Sequence, residues 1–449
     1  MTSDAVLWTY ALAPDVEVAP GPGGVFLRTA ASQIWIEASD DLKVIELLAK
    51  EANSEAELHG QLRLDPVSSR NTPRYEALLF RLDRLGLLAR SVSSNRGGRL
   101  ASCIPMRPPP EVPLECPLEG ELRLSPVAHA RADGKVVSLE VPGSWAKMTI
   151  HDRNLLPLLH DLAVGRQAAQ MAGSATGHGK EAILAVLALM KWCGLLDSTE
   201  QEGWSGHDLY FHARTRNGYT RASLGKTYSE EGAADRSGPG TIAGCKGRLS
   251  LKAPDLSRLI AKDPPYALVS ERRQSVRRQG RAAITSDELS EFLFRTLHER
   301  AGRRPYPSGG ACYPLRAYLA VHRCRGIAPG LYAYDTAVHE LVSLREPEPR
   351  LDRLLAGAAA AANVAQSPQI LLILAARYWQ TRQHYGDLSY SLIMKEVGAV
   401  FQVSMMAAAA MGLATCPLGC GDSLLFSELV GVNPLNETSV GELMLGSLE

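Results

Sequence analysis

The chain has 449 residues, 45% hydrophobic and 21% charged, with Lys+Arg and Asp+Glu balanced at 48 each. That length suits about three domains with ordinary cores, and the even charge gives no reason to expect nucleic acid or a membrane surface as a partner. The 8 cysteines contain no C-x-x-C pair and no matched zinc-ligand spacing, which predicts reduced thiols, no disulfide framework and no metal site. The N-terminus "MTSDAVLWTYALAPDVEV" carries an acid where an export signal carries a base, and the run "ILLILAA" from Ile370 is too short to cross a bilayer. A cytoplasmic protein is the expectation.

Residues 1–98 read as one small unit. "VEVAPGPGGVFLRT" alternates around a glycine-rich turn, and "QIWIEA" puts Ile34 and Ile36 on one face, which predicts a hairpin. Three amphipathic stretches follow, "LKVIELLAKEA", "SEAELHGQL" and "PRYEALLFRLDRLGLLAR", and the whole is a winged-helix-like layout. The prolines of "MRPPPEVPLECPLEGE" predict a stiff linker over 99–130. Residues 131–200 look like a second winged-helix-like unit, built from "GKVVSLEV", "HDRNLLPLLHDLAV" and "KEAILAVLALMKWCGLLDS". The endings "LDRLGLLARS" and "MKWCGLLDST" match in register, each a helix closing on Gly-Leu-Leu.

A connector over 201–264 includes a Gly-, Ser- and Pro-rich stretch near 231–248, and from 265 to 449 the pattern is α+β. Thr285 and Glu288 form a capping box before a stripe of Leu289, Phe292, Leu293 and Leu297. "RAYLAVHRC" and "QILLILAARY" read as strands, the second buried on both faces, and "GLYAYDTAVHELVSL" as a hairpin. "LSYSLIMKEVGAVFQVSMMAAAAMGL" is a helix so apolar all round that it belongs in a core or a subunit interface.

Three stretches carry candidate chemistry. In an extended "RRQSVR", Arg273, Ser275 and Arg277 point the same way, and two guanidinium forks with a hydroxyl suit a phosphate. "RPYPSGGACYP" places rigid prolines around two glycines, either a plain turn or a loop that admits a flat ligand. "RQHYGDLSY" offers an imidazole and a phenol at neighbouring positions, His384 and Tyr385.

In this order, over residues 204 to 446, the stretches "HDLYFHARTRNGYT", "RRQSVR", "RPYPSGGACYPLRAYLAV", "APGLYAYDTAVHEL", "HYGDLSY", "EVGAVFQ" and "MGLATCPLGCGD" resemble the nitroreductase-fold flavoproteins. More narrowly they resemble the SagB/ThcOx-type FMN-dependent azoline dehydrogenases of peptide natural-product pathways. The resemblance implies an α+β, nitroreductase-like FMN domain behind two peptide-clamp units that bind a precursor's leader. It implies that Arg273, Ser275 and Arg277 hold the FMN phosphate, that Pro307, Ser308 and Gly309 approach the isoalloxazine, and that Leu418, Gly419 and Cys420 face its reactive nitrogen. Family members commonly carry Lys-Tyr where this chain has His384-Tyr385, so Tyr385 matches the motif and His384 departs from it. Imidazole near neutrality can still serve as a base. Glu396 and Gln402 match an E-x-G-x-x-x-Q pattern, with a hydrogen bond across a dimer as the expected role.

The implied partners are a precursor peptide, the cyclodehydratase that makes azolines, and a second copy of the chain in a homodimer. Two other functions stay open: an NAD(P)H-dependent flavin reductase of nitro, quinone or dehydroamino-acid substrates, and a peptide-binding scaffold without activity.

Overall fold

In the computed structural model the residues described are 6–29, 32–37, 41–61, 72–94, 98–110, 117–172, 177–196, 204–216, 219 and 246–449. The chain divides into two compact units, Met1–Leu224 and Gly225–Glu449.

In the first unit, strand β1 (Val6–Leu12) precedes a three-stranded sheet of β2 (Glu17–Gly21), β3 (Gly24–Arg28) and β4 (Gln33–Glu37), in that order. Helices α1 (Asp41–Lys50), α2 (Glu55–Gln61, entered through the short strand β5, Asn53–Ser54) and α3 (Thr72–Arg84) complete the expected hairpin-plus-three-helix layout. Leu27 and Ile36 from the sheet meet Val44, Ile45, Leu48, Leu58 and Leu82 in one core. Each such side chain contributes roughly 1.5–3 kcal/mol on leaving water.

The chain then adds β6 (Leu88–Ser94), β7 (Gly98–Pro105), β8 (Glu121–Leu122), β9 (His129–Asp133), β10 (Val136–Glu140) and β11 (Ala146–Ile150). Helices α4 (Leu156–Val164), α5 (Ala168–Met171, after the short strand β12, Arg166–Gln167), α6 (Lys180–Trp192) and α7 (Gly206–Arg214) follow. The predicted linker over 99–130 is corrected at its start. Strand β7 pairs with β6 on one side and β11 on the other, inside a seven-stranded sheet ordered β5-β1-β6-β7-β11-β10-β9. Leu100, Ala101 and Cys103 on it are fully buried, so the two modules read from sequence share one sheet. Residues 111–116 of the proline-rich stretch lie outside the described residues.

The Gly-Leu-Leu repeat has a shared structural cause. After α3, the N–H groups of Gly86 and Leu87 donate to the carbonyls of Asp83 and Leu82, at 2.7 and 2.9 Å. After α6, those of Gly194 and Leu195 donate to Lys191 and Met190, at 2.9 and 3.0 Å. Both are Schellman closures with glycine at positive φ, 68° and 73°, where a Cβ would be strained.

The second unit is built on β13 (Gly247–Ser250), β14 (Leu315–Val321), β15 (Gly330–Asp335), β16 (Glu340–Arg345), β17 (Ile370–Ala376), β18 (Leu413–Leu418) and β19 (Thr438–Ser447). They form an antiparallel sheet ordered β13-β16-β15-β14-β17-β19-β18. The sheet thus starts inside the segment expected as a connector. The Gly-, Ser- and Pro-rich residues of that connector up to 245 lie outside the described residues.

Helices α8 (Leu256–Lys262), α9 (Tyr266–Arg272), α10 (Ser286–Thr296), α11 (Pro349–Ala361), α12 (Tyr378–Tyr385), α13 (Ser389–Met411) and α14 (Ser423–Val430) flank this sheet. Strand β17 is buried on both faces, as its unbroken apolar run predicts. Ile370, Leu372 and Leu374 pack with Phe292 of α10 and Val397 and Val400 of α13. Leu371 and Ile373 pack with Leu354 of α11 and Phe426 of α14. The capping box closes as read: Thr285 Oγ1 accepts from Glu288 N at 3.1 Å while the Glu288 carboxylate accepts from Thr285 N at 2.7 Å.

The stretch Tyr378–Met411 is long and apolar enough to cross a membrane by composition. Ile393, Val397, Val400 and Ala408 are nevertheless buried against the sheet, which makes α13 a core helix on that side.

Candidate functional site

The "RPYPSGGACYP" loop is braced from both ends. Arg304 Nη1 donates to the Leu315 carbonyl at 2.7 Å and to the Tyr306 hydroxyl at 3.0 Å. Burial pushes that phenol up to about 12. Arg377 N donates to the Pro314 carbonyl at 3.0 Å, and Gln380 Nε2 to the Cys312 carbonyl at 2.6 Å. Helix α12 therefore holds the loop's far end.

Ser308 is the hinge of the loop's own hydrogen bonding. Its hydroxyl donates to Glu396 Oε2 at 2.6 Å and accepts from Tyr313 N at 2.9 Å. Glu396 is 4% exposed, and burial raises its carboxyl to about 7 although the Ser308 bond and Arg304 pull it down. Its Oε1 is buried without a hydrogen-bond partner among the described residues. Within the chain, then, the Glu396 carboxylate is engaged through Oε2 by Ser308. Gln402 is exposed.

The two glycines have distinct reasons. A Cβ on Gly309 would stand 3.3 Å from Leu392 Cδ1 and 3.8 Å from the Tyr385 ring. Gly310 sits at φ 58° and ψ 20°, the left-handed region. Space at Gly309 is limited by α13 and by Tyr385, so the structure gives the pair a reason within the chain itself.

The Tyr385 ring thus borders the P-S-G-G loop at Gly309. His384, one residue earlier on α12, is half-buried with Gln383 Nε2 at 3.4 Å from its Nε2. Gly386, at φ 53°, ends α12 and turns the chain into α13, and Ser389 Oγ donates to its carbonyl at 2.7 Å.

The arginine segment follows α9 as an irregular stretch anchored to the sheet edge, where Val276 N donates to the Thr415 carbonyl at 2.8 Å. Arg273 Nη1 lies 4.0 Å from Met405 Sδ on α13. Arg277 lies on the β18 side, where its charge opposes the rise that burial imposes on the Cys416 thiol. Arg273 is half-buried and Arg277 exposed, so an anion in solution can reach both guanidinium groups. Ser275 is exposed. Leu418 ends β18 as a buried residue, while Gly419 and Cys420 beyond it are exposed.

Within one chain these residues form separate groups. Glu396, which holds the loop, and Met405, beside Arg273, are nine residues apart on α13, about 13 Å along its axis. Ser308, Gly309 and Tyr385 lie together; Arg273 does not join them.

Some polar residues that the sequence did not flag are structural. His339 Nδ1 is 2.6 Å from the Tyr334 hydroxyl and its Nε2 is 3.0 Å from Ser290 Oγ. Ser290 spends its own proton on the Lys252 carbonyl at 2.7 Å, so this buried serine is a donor in a core network and not a nucleophile. Burial brings the His339 imidazole down to about 4. In the first unit, Arg214 Nη2 bonds both oxygens of the buried Glu140 at 2.9 Å, which gives that arginine a packing role.

Comparison with known proteins adds the following. The nitroreductase family matches residues 271–447, and the cyanobactin oxidase ThcOx family matches residues 122–221. A nitroreductase-family protein of Methanocaldococcus jannaschii is 32% identical over 173 residues, 38% of this chain and 84% of that protein. Among solved structures, a nitroreductase-like protein from Ralstonia eutropha is 18% identical, covering 45% of this chain and 90% of that one at a TM-score of 0.38. A chain of the E. coli microcin synthetase McbBCD complex with truncated pro-MccB17 bound is 17% identical, covering 45% and 85% at 0.35. A nitroreductase-like protein in complex with FMN from Desulfovibrio desulfuricans is 16% identical, covering 41% and 86% at 0.29.

Proposed function

Because the chain belongs to the nitroreductase family and its residues 122–221 match the ThcOx cyanobactin oxidase family, we propose that it is an oxidoreductase of the SagB/ThcOx type, an FMN-dependent dehydrogenase converting azolines to azoles in a ribosomally made peptide. The observation that carries this reading is the meeting of Tyr385 with the P-S-G-G loop, because it joins the motif's phenol to the loop expected beside the flavin.

Oxidising an azoline removes a proton from ring carbon and a hydride with it; bound FMN would supply the hydride acceptor. The chain's residues have the remaining tasks. Arg273 and Arg277, with Ser275, would hold the phosphate through charge-assisted hydrogen bonds. The exposed backbone at Gly419 and Cys420 would border the ring system, with Leu418 buried behind it. Glu396 fixes Ser308 and so the loop's position. Tyr385 would orient the substrate or take part in moving its proton, with His384 as the second candidate base.

The apolar composition of α13, with one side on the sheet and Gly398 exposed on another, supports a homodimer in which one copy's loop completes the other's cofactor site. The edge strands β2 and β4 of the three-stranded sheet support leader binding by strand addition. A cyclodehydratase partner and residence in the cytoplasm belong to the same reading. Mass spectrometry of an azoline-bearing peptide incubated with the protein tests it, through the loss of two hydrogens per ring.

A further inference from the structure

Arg377 and Arg316 crowd around one buried carboxylate, Glu437. That carboxylate is already engaged: Oε1 accepts from the Tyr318 hydroxyl at 2.5 Å and Oε2 from Arg316 Nη1 at 3.3 Å. Arg377 is half-buried, its Nε is buried without a partner, and no carboxylate pairs with its guanidinium among the described residues. Arg377 thus stands half-buried beside Glu437 with a side-chain donor that nothing among the described residues accepts. Burial and the neighbouring Arg316 lower the pKa of Arg377, while Glu437 raises it.

Arg377 lines a cavity of about 410 Å³, together with Tyr378, Trp379, Asn433, Leu435 and Glu437 among others. Trp379 is 45% exposed and Leu435 84% exposed, so apolar side chains stand at the open side of the cavity while the half-buried Arg377 and the buried Glu437 lie deeper. Through the Arg377 N–H on Pro314 and the Gln380 amide on Cys312, the same residues hold the P-S-G-G loop, and the other end of α12 carries Tyr385. A helix of eight residues puts the two ends about 12 Å apart, within one short peptide's reach.

We propose that this cavity is a substrate subsite that takes a peptide carboxylate on Arg377, with the adjoining apolar part of the peptide against Trp379 and Leu435. The proposal rests on a peptide being the substrate. It adds a recognition point outside the first unit, which would select peptides carrying an acidic residue or a free C-terminus at a fixed distance from the ring being oxidised.

The test is calorimetric titration of the flavin-loaded protein with N-acetyl-phenylalanine, its C-terminal amide, and N-acetyl-glutamic acid α-amide. At least one of the two acids should bind about tenfold or more tightly than the neutral amide, the scale of a charge-assisted contact. The tighter acid identifies a terminal or a side-chain carboxylate as the source. Arg377→Gln should erase the preference, and Trp379→Ala, checked for an unchanged flavin spectrum, should weaken the acids. Equal affinities for acid and amide, a preference that survives Arg377→Gln, or acid binding untouched by Trp379→Ala would each overturn the subsite. Binding is read without turnover. A protein that prefers carboxylates but leaves azolines unchanged would keep the subsite and sink the azoline assignment, and the opposite pattern would sink the subsite alone.

Discussion

Tyr385 and His384 are adjacent in sequence, yet on a helix their side chains point about 100° apart. The Tyr385 ring is the one that borders the Gly309 position. Tyr385→Phe, which keeps the ring and removes the hydroxyl, should slow flavin reduction by a peptide substrate about a hundredfold, with His384→Ala the smaller effect. Stopped-flow absorbance reads both, and a silent Tyr385→Phe beside a crippling His384→Ala would reverse the assignment. Glu396 makes a separate prediction. Its carboxyl lies at about 7 in the folded chain against an ordinary 4.5, so folding favours the protonated form. The stability from that neutral acid is complete below pH 4.5 and lost as pH rises through about 7. Glu396→Gln stays neutral, so melting temperatures should show wild type losing ground to the variant between about pH 5 and pH 8. A constant difference across that range would mean that Glu396 does not titrate there. The sequence offered part of this: a lone carboxylate on an apolar helix asks for a partner, but that the partner is Ser308, 88 residues away, is a tertiary fact.

Helix α13 has two characters. Ile393, Val397, Val400 and Ala408 bury one side on the sheet, while Gly398 is exposed and a Cβ there would meet nothing within 4 Å. Within a single chain, Gly398→Arg should therefore fold normally, even gaining about 0.5–1 kcal/mol from replacing a helical glycine. In a homodimer built on this face, an arginine would be forced into an apolar interface. Light scattering should then show monomer with poor flavin retention, and a flavin-loaded dimer in that variant would rule out this face as the interface. The composition of α13 was legible as that of a core or interface helix; whether a second copy covers its exposed side is information outside a single chain. The arginine segment shows the opposite limit. Alternation predicts an extended run from 273 to 277; the segment belongs to no named strand, and Val276 N on the Thr415 carbonyl lays it along β18, with Arg273 near Met405 of α13.

At the scale of the molecule, local periodicity carried the second unit well. Its hairpin, its capping box and the doubly buried β17 all depend on neighbours a few residues apart, and all are where the pattern puts them. The first unit misled where pairing is distant. Prolines at 108–110 suggested a break, yet β7 ends at Pro105, and Cys103, two residues earlier, pairs with Met148 of β11, 45 positions on. Nothing within the linker's own composition reports that pairing. Arg377 was missed for the same reason, since Arg316 and Glu437 reach it from 61 and 60 positions away. The most direct measurement of function is made on the full chain with FMN, an azoline-bearing peptide and mass spectrometry before and after aerobic incubation. Expected is the loss of two hydrogens for each ring processed, with transient bleaching of the flavin when oxygen is withheld. A peptide of unchanged mass with an unbleached flavin, or one that gains two hydrogens when NAD(P)H is added, would contradict the dehydrogenase assignment.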